Sequence, residues 1–198
     1  KEAIELFVYR IAREIGALLG RLHRSGRRFQ GTMAPFPIID VYLTMAADDR
    51  LRALRQRVEP IRTALEAHPV EAVPSHIDPN PANFLMMPDG RIWLIDWEFS
   101  AMCEPAWDLA AIQIEAGPGA DAVPAFHVGY DWHPTEVERS RLWLMRAALH
   151  LVAGSWTYAE IAGGNQAPGL KDLLERCVTA LSRMLDDPAL PQHLARAG

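Results

Sequence analysis

The sequence predicts a mainly helical fold with one small β-hairpin near its middle, and three observations predict it. Apolar residues recur at helical spacing toward both ends of the chain. Two short apolar runs, FLMM and RIWLID, flank a turn signal at Pro88–Gly90, the pattern of a hairpin. Just before them, the stretch HIDPNPANF from His76 to Phe84 holds Pro79 and Pro81, which neither a helix interior nor a central strand accommodates. Its polar side chains therefore belong on an irregular loop, and loops held by a rigid scaffold are where chemistry tends to be placed.

Taken in order, residues 2–22 set Ile4, Phe7, Val8, Ile11, Ile15, Leu18, Leu19 and Leu22 on one helical face. A loop with Gly and Pro is expected over residues 23–37. A short helix over 39–46 and a longer one over 50–68, with a charged outer face, come next. Residues 70–73 are a strand candidate leading into the proline loop, and the hairpin follows. Beyond it the pattern is helical. Pro105 suits the first position of a helix over 105–116. A long helix over 134–162 is entered through HPTEVE, and a closing helix over 169–186 ends before Pro188.

Composition narrows the function classes. At 198 residues the chain can bury one sizeable core. A net charge of −5, with no clustered basic stripe, gives no reason to expect a nucleic-acid partner. The longest apolar stretch, residues 142–153, is interrupted by Arg146 and His150, so no membrane span is expected. Cys103 and Cys177 lack metal-ligand spacing and read as reduced thiols of a cytoplasmic protein. The chain begins at Lys1 inside a helical pattern, and Lys1 and Lys171 are its two lysines.

The loop carries the spacing H-x-D-x-x-x-x-N at His76, Asp78 and Asn83. In kinase catalytic loops this spacing sets an Asp to receive the proton of a substrate hydroxyl and an Asn to bind Mg²⁺. The chemistry needs such residues. A phosphoryl group in transfer carries spread negative charge, and a hard cation that offsets it prefers oxygen ligands. A hairpin returns the chain to its start, so Asp96 at the end of RIWLID can converge with Asn83 on one ion. Turn hydrogen bonding by Asp78 and Asn83 is the plainer alternative, but it leaves the apolar-flanked Asp96 unexplained. His76 is read as a structural histidine.

The stretch from Ser75 to Ala110 resembles the choline/ethanolamine kinase and aminoglycoside phosphotransferase superfamily, nearest to its choline-kinase-like branch. HIDPNPANF is similar to that family's catalytic loop, LIDWEFS to its Mg²⁺ segment and EPAWDLA to the helix start that follows. IGALLGRLHRSG and FPIIDVY are similar to its preceding helices, so the resemblance covers most of residues 10–112. It implies the C-terminal lobe of a protein-kinase-like phosphotransferase fold, using ATP and Mg²⁺. By position it implies that Asp78 is the catalytic base, that Asn83 and Asp96 are metal ligands, and that Asn80 and Glu98 lie near the base, the metal and the acceptor. Asp108 resembles a buried Asp that hydrogen-bonds the catalytic loop; a first-turn acid complementing the helix dipole is the alternative. The segment AGSW keeps Trp156, where choline kinases have a tryptophan of an aromatic box, and has Ala153 where they have the other. Trp97, Trp143 and Tyr158 are further aromatic candidates.

The domain organisation expected is a single catalytic and acceptor-binding lobe over 1–198: helices to residue 69, the catalytic loop and metal hairpin over 70–100, and a helical acceptor region over 101–198. Neither lysine falls in a strand and no Gly-rich turn precedes the loop, so the nucleotide-binding lobe is expected to be absent from this chain, leaving it inactive alone. The function expected is transfer of the ATP γ-phosphate to choline, ethanolamine or a related amino alcohol. Phosphorylation of aminoglycosides, or a non-catalytic binding module, are the alternatives.

Overall fold

The computed structural model describes residues 2–45, 48–116 and 122–197. Lys1 and Ala46, and the side chain of Ile4, lie outside what is described. The chain divides into two compact units, Lys1–Met33 with Val70–Thr135 and Ala34–Pro69 with Glu136–Gly198.

Among its described residues the first unit holds α1 (Glu2–His23), four three-residue strands and two further α-helices. The face that α1 buries overlaps only in part with the one the large apolar residues mark: Leu19 is common to both, and Ile11, Ile15, Leu18 and Leu22 are half-buried. Phe7 and Val8 are 45% and 43% exposed, whereas Ala12, Gly16, Leu19, Gly20 and His23 are buried. Periodicity finds large apolar side chains, but α1 packs closest on small ones. A Cβ added at Gly16 would sit 2.1 Å from the carbonyl oxygen of Phe126, and one at Gly129 would sit 1.9 Å from that of Arg13. Two helices in that contact approach backbone to backbone.

Strand β1 (Val73–Ser75) pairs antiparallel with β4 (Ala101–Cys103), Val73 opposite Cys103. The strand expected over 70–73 thus lies further along; Val70 is exposed. Its place is set by a partner thirty residues away rather than by its own apolarity. Residues 31–33 run along the other side of β4, where Met102 donates to Gly31 and accepts from Met33. Strands β2 (Phe84–Met86) and β3 (Ile92–Leu94) form the expected hairpin. Its turn closes on Met87 and Gly90, the glycine at φ 81° where a side chain would be strained. Helix α5 (Ala106–Ala116) starts behind Pro105, and α6 (Ala122–Tyr130) completes the unit.

The second unit is all helical among its described residues: α2 (Pro35–Met45), α3 (Asp49–Arg57), α4 (Glu59–Ala67), α7 (Glu136–Ala162), α8 (Leu170–Leu185) and α9 (Leu190–Ala197). The single helix expected over 50–68 is two, broken where Pro60 stands at the start of α4 and cannot donate backward. Asp48 caps α3 by accepting from the Leu51 amide at 3.0 Å. Helix α7 is central, packing against α2, α8 and α9. Leu144, Ala147, Ala148 and Leu151 on it are fully buried, each large side chain stabilising by roughly 1.5–3 kcal/mol. Buried Arg141 donates to the carbonyls of Leu65 and Ala197, late residues of α4 and α9, where helix dipoles favour a cation. Helix α9 starts two residues beyond Pro188, where the sequence pattern predicts no further helix.

Candidate active site

The site is built on the loop that leaves β1. Ser75 and His76 are fully buried, and Ile77 has φ 76°. A β-branched residue avoids that left-handed region, and holding it there costs on the order of 1–3 kcal/mol. The neighbours that hold it are on α5. Asp108, fully buried in its first turn, accepts the His76 amide at 2.8 Å and the Ile77 amide at 2.9 Å, one on each carboxylate oxygen. Trp107 donates its indole N–H to the Ile77 carbonyl at 2.8 Å. Strain at Ile77 is thus opposed by hydrogen bonds on both sides of the residue.

The next residue is Asp78, half-buried. Its Oδ2 accepts from the side-chain amides of Asn80 at 2.9 Å and Asn83 at 3.2 Å. Its Oδ1 accepts no hydrogen bond from the described residues. Asn80 also caps the 3₁₀ turn Pro81–Asn83 by accepting the Ala82 amide. Asn83 is buried and donates again to the Asp78 carbonyl at 2.9 Å. An oxygen aimed at these acceptors would be repelled, so the amide nitrogen must face Asp78 and the Asn83 carbonyl oxygen is left for another partner.

The hairpin then returns the chain. The Ile95 amide donates to the Asn83 carbonyl at 3.0 Å, so Asp96 follows directly on the residue paired with Asn83. Asp96 has φ 64°, a conformation Asp tolerates. Asp96 and Glu98 are exposed, and neither takes a hydrogen bond or ion pair from the described residues. His76 donates from Nε2 to the Ile95 carbonyl at 2.8 Å and packs edge-on against Trp97, which is 40% exposed. Its Nδ1 is buried without a partner.

Asp78, Asn80, Asn83, His76 and Asp108 are joined by hydrogen bonds directly or through the loop backbone, and Asp96 and Glu98 adjoin them on the hairpin end. Trp156 belongs to the second unit, on α7, and is 38% exposed. Two participants had no signal in the loop motif. His23, the last residue of α1, places Nε2 at 3.0 Å from Asp108 Oδ2 and Nδ1 at 2.7 Å from the hydroxyl of Tyr130. The LH of GRLH was the one cue for the first; nothing marked the second. Burial, reinforced by the Asp108 carboxylate, pushes the nearby Cys103 thiol well up and leaves it inert. Behind the hairpin, an apolar cavity of about 310 Å³ is lined by Pro81, Phe84 and Ile92 with Ile11 and Ile15 of α1, and Glu115 is its one charged described lining residue.

Asp78 presents a fixed carboxylate with one oxygen open, beside two further oxygen donors at the hairpin end. That arrangement can accept a proton and hold a hard cation. No group of three or more His, Cys, Asp or Glu side chains that could hold a metal occurs among the described residues. No described helix is long and apolar enough to cross a membrane.

The sequence profile of the phosphotransferase enzyme family matches residues 5–143. Over 104 residues the chain is 30% identical to thiamine kinase of Escherichia coli, covering 52% of this chain and 37% of that protein. The fold is similar to a choline/ethanolamine kinase family protein from Mesorhizobium loti, with TM-score 0.83, 25% identity, and 94% of this chain and 66% of that one covered. It is similar also to the choline kinase LicA from Streptococcus pneumoniae, with TM-score 0.77, 26% identity, and 90% and 66% covered. The chain therefore spans little more than a third of the length of the curated relative it matches, and just under two thirds of these solved chains.

Proposed function

The chain belongs to the phosphotransferase enzyme family, and from that premise we propose that it serves ATP-dependent transfer of a phosphoryl group to the hydroxyl of a small amino alcohol. The observation that carries this is the state of Asp78: one carboxylate oxygen held by Asn80 and Asn83, the other open. The open oxygen is the acceptor for the proton of an attacking hydroxyl. The two amides fix the carboxylate's direction, so the hydroxyl meets it without reorganisation.

The side-chain Oδ1 of Asn83 and the Asp96 carboxylate are the Mg²⁺ ligands in this reading. Both are oxygen donors with no other described partner, and Mg²⁺ keeps several waters and phosphate oxygens, so two protein ligands suit it. An Mg²⁺ ion held there would offset charge on the phosphates of ATP. Residues 70–100 supply the base and metal ligands, and residues 101–198 the acceptor side. His76 and Asp108 hold the loop; the resemblance assigns Asn80, Glu98 and Trp156 to acceptor binding.

The acceptor class follows from charge and likeness together. With Asp96 given to the cation, the exposed Glu98 leaves the acceptor side acidic, which favours a cationic substrate. Choline and ethanolamine join a hydroxyethyl arm to a cationic nitrogen, thiamine carries one on a carbon of a cationic thiazolium ring, and proteins named for these substrates are among those similar to this chain. Ala153 in place of a second box tryptophan weakens the case for choline. An exposed cation–π contact is worth about 0.5–1 kcal/mol, and about 2 when desolvated.

The test is a phosphorylation assay of this chain joined to a nucleotide-binding lobe, with ATP·Mg²⁺ against choline, ethanolamine, thiamine and aminoglycosides, read by product mass. Transfer to a hydroxyethyl amine is expected, with Trp156→Ala raising KM for that acceptor and barely changing KM for ATP. Transfer to aminoglycosides alone, indifferent to Trp156→Ala, moves the protein to the antibiotic-modifying branch. No transfer to any acceptor refutes the proposal.

A further inference from the structure

The hydrogen bonds around Asp108 continue beyond the loop it holds. Asp108 is fully buried, and a buried carboxylate needs donors on every side. It has three: the His76 and Ile77 amides and the ring of His23. Both oxygens already accept backbone N–H groups, so the ring nitrogen facing them must donate. Nε2 of His23 therefore carries the hydrogen, and Nδ1 is hydrogen-bonded at 2.7 Å to the Tyr130 hydroxyl, which can donate or accept. A chain of contacts runs from the end of α6, through the end of α1, to the amides of His76 and of Ile77, the strained residue before Asp78.

We propose that His23 and Tyr130 are positioning residues for Asp78, acting through Asp108 and the left-handed backbone of Ile77. This rests on the phosphotransfer reading above. The loop's geometry is one its own sequence disfavours, since Ile77 sits at φ 76°. It persists only while the amides of His76 and Ile77 stay anchored. Without the His23 donor the carboxylate is free to turn toward another partner, its grip on the two amides loosens, and Ile77 relaxes toward negative φ. Asp78, the next residue, then swings off its line. A shift of about 1 Å at a reacting group can cost on the order of a hundredfold in rate.

The experiment compares His23→Leu, His23→Gln and Tyr130→Phe with the unsubstituted protein, each joined to a nucleotide-binding lobe as above, by steady-state kinetics and by amide hydrogen exchange at residues 76–78. Gln sets an amide nitrogen near the place of Nε2 and so keeps a donor to Asp108. His23→Leu and Tyr130→Phe are expected to lower kcat by about ten- to a hundredfold, the range for losing an orienting partner. KM for ATP should stay unchanged, and exchange at His76 and Ile77 should rise severalfold. His23→Gln should recover most of both effects. Tyr130→Phe removes a single oxygen and keeps the test open should His23→Leu fail to fold. Unchanged kcat and unchanged exchange in folded variants overturn the proposal, as does a loss that Gln does not recover, which marks a packing role. Should the unsubstituted protein transfer no phosphate at all, the phosphotransfer reading fails by itself, and the exchange at residues 76–78 alone decides the positioning.

Discussion

Asp78 accepts two side-chain amides on one carboxylate oxygen, while Asp96 and Glu98, a few residues along, accept nothing from the described residues. The difference separates their proposed roles. Asp78→Asn keeps the shape of the loop but removes the proton acceptor, so kcat should fall by about 10²–10⁴, the contribution typical of a general base. Nucleotide affinity, measured by calorimetry, should stay nearly the same, because the role is played only at the acceptor hydroxyl. An Asp78→Asn variant as active as the parent would falsify the assignment. Asp96→Ala should act on the ion instead. Mn²⁺ binding followed by water-proton relaxation should weaken by more than about tenfold, the loss seen even for outer partners of metal sites. Mn²⁺ affinity indifferent to Asp96→Ala places the cation elsewhere.

Among the elements, the crossing of α1 and α6 is the tightest contact that carries the site. Gly129 faces the Arg13 carbonyl and Gly16 faces that of Phe126, both backbone atoms that cannot move aside as a flexible side chain would. Gly129→Ala should therefore destabilise by roughly 1–3 kcal/mol or more through overpacking, and about 2–4 °C in Tm per kcal/mol is expected at this chain length. Gly31→Ala, where an added Cβ meets only the Ala101 side chain at 3.8 Å, is the control and should stay near the parent in a thermal melt. Equal melting of the two variants would show that the helices do not cross this closely in solution. The exposed charges of α3 and α4 act on another scale. Arg55 binds Asp40 at 2.7 Å and Glu59 at 2.8 Å, yet such surface pairs are worth about 0–1 kcal/mol each.

For the whole molecule, pH dependence offers a test independent of activity. His150 on α7 is partly buried, with Nδ1 unpartnered; burial, then the Arg146 cation, holds its ring down to about 4. In the unfolded chain an imidazole titrates near 6.5. Between those values the unfolded state binds the proton and the folded state does not, so stability rises with pH across that window. Read downward, stability is fully present above about 6.5 and is lost as the pH falls toward 4. His127 and His193, also held low by burial first, act in the same direction. Melting temperature measured from pH 7.5 to 4 should fall across this window, and His150→Gln should flatten the fall. A parallel curve for that variant would mean that the ring already protonates in the folded state.

How much of this was legible follows from distance along the chain. The proline loop, the Pro88–Gly90 turn and the Asn83-to-Asp96 return are settled by neighbouring residues, so the sequence by itself determined the mainly helical fold, the hairpin and the placing of Asp78 beside Asn83. Turn chemistry and proline geometry act over a few residues and need no partner. Tertiary structure alone decided the rest. The pairing of β1 with β4 joins Val73 to Cys103, and Asp108 reaches back 32 residues to His76 and 85 to His23. Tyr130 lies 107 residues from the same histidine. The left-handed turn at Ile77 is invisible to local preference because local preference opposes it; remote hydrogen bonds hold it. The buried face of α1 is hidden in part for a related reason. Small residues carry no hydrophobic signal of their own, and only the helix packed against them shows why they are small.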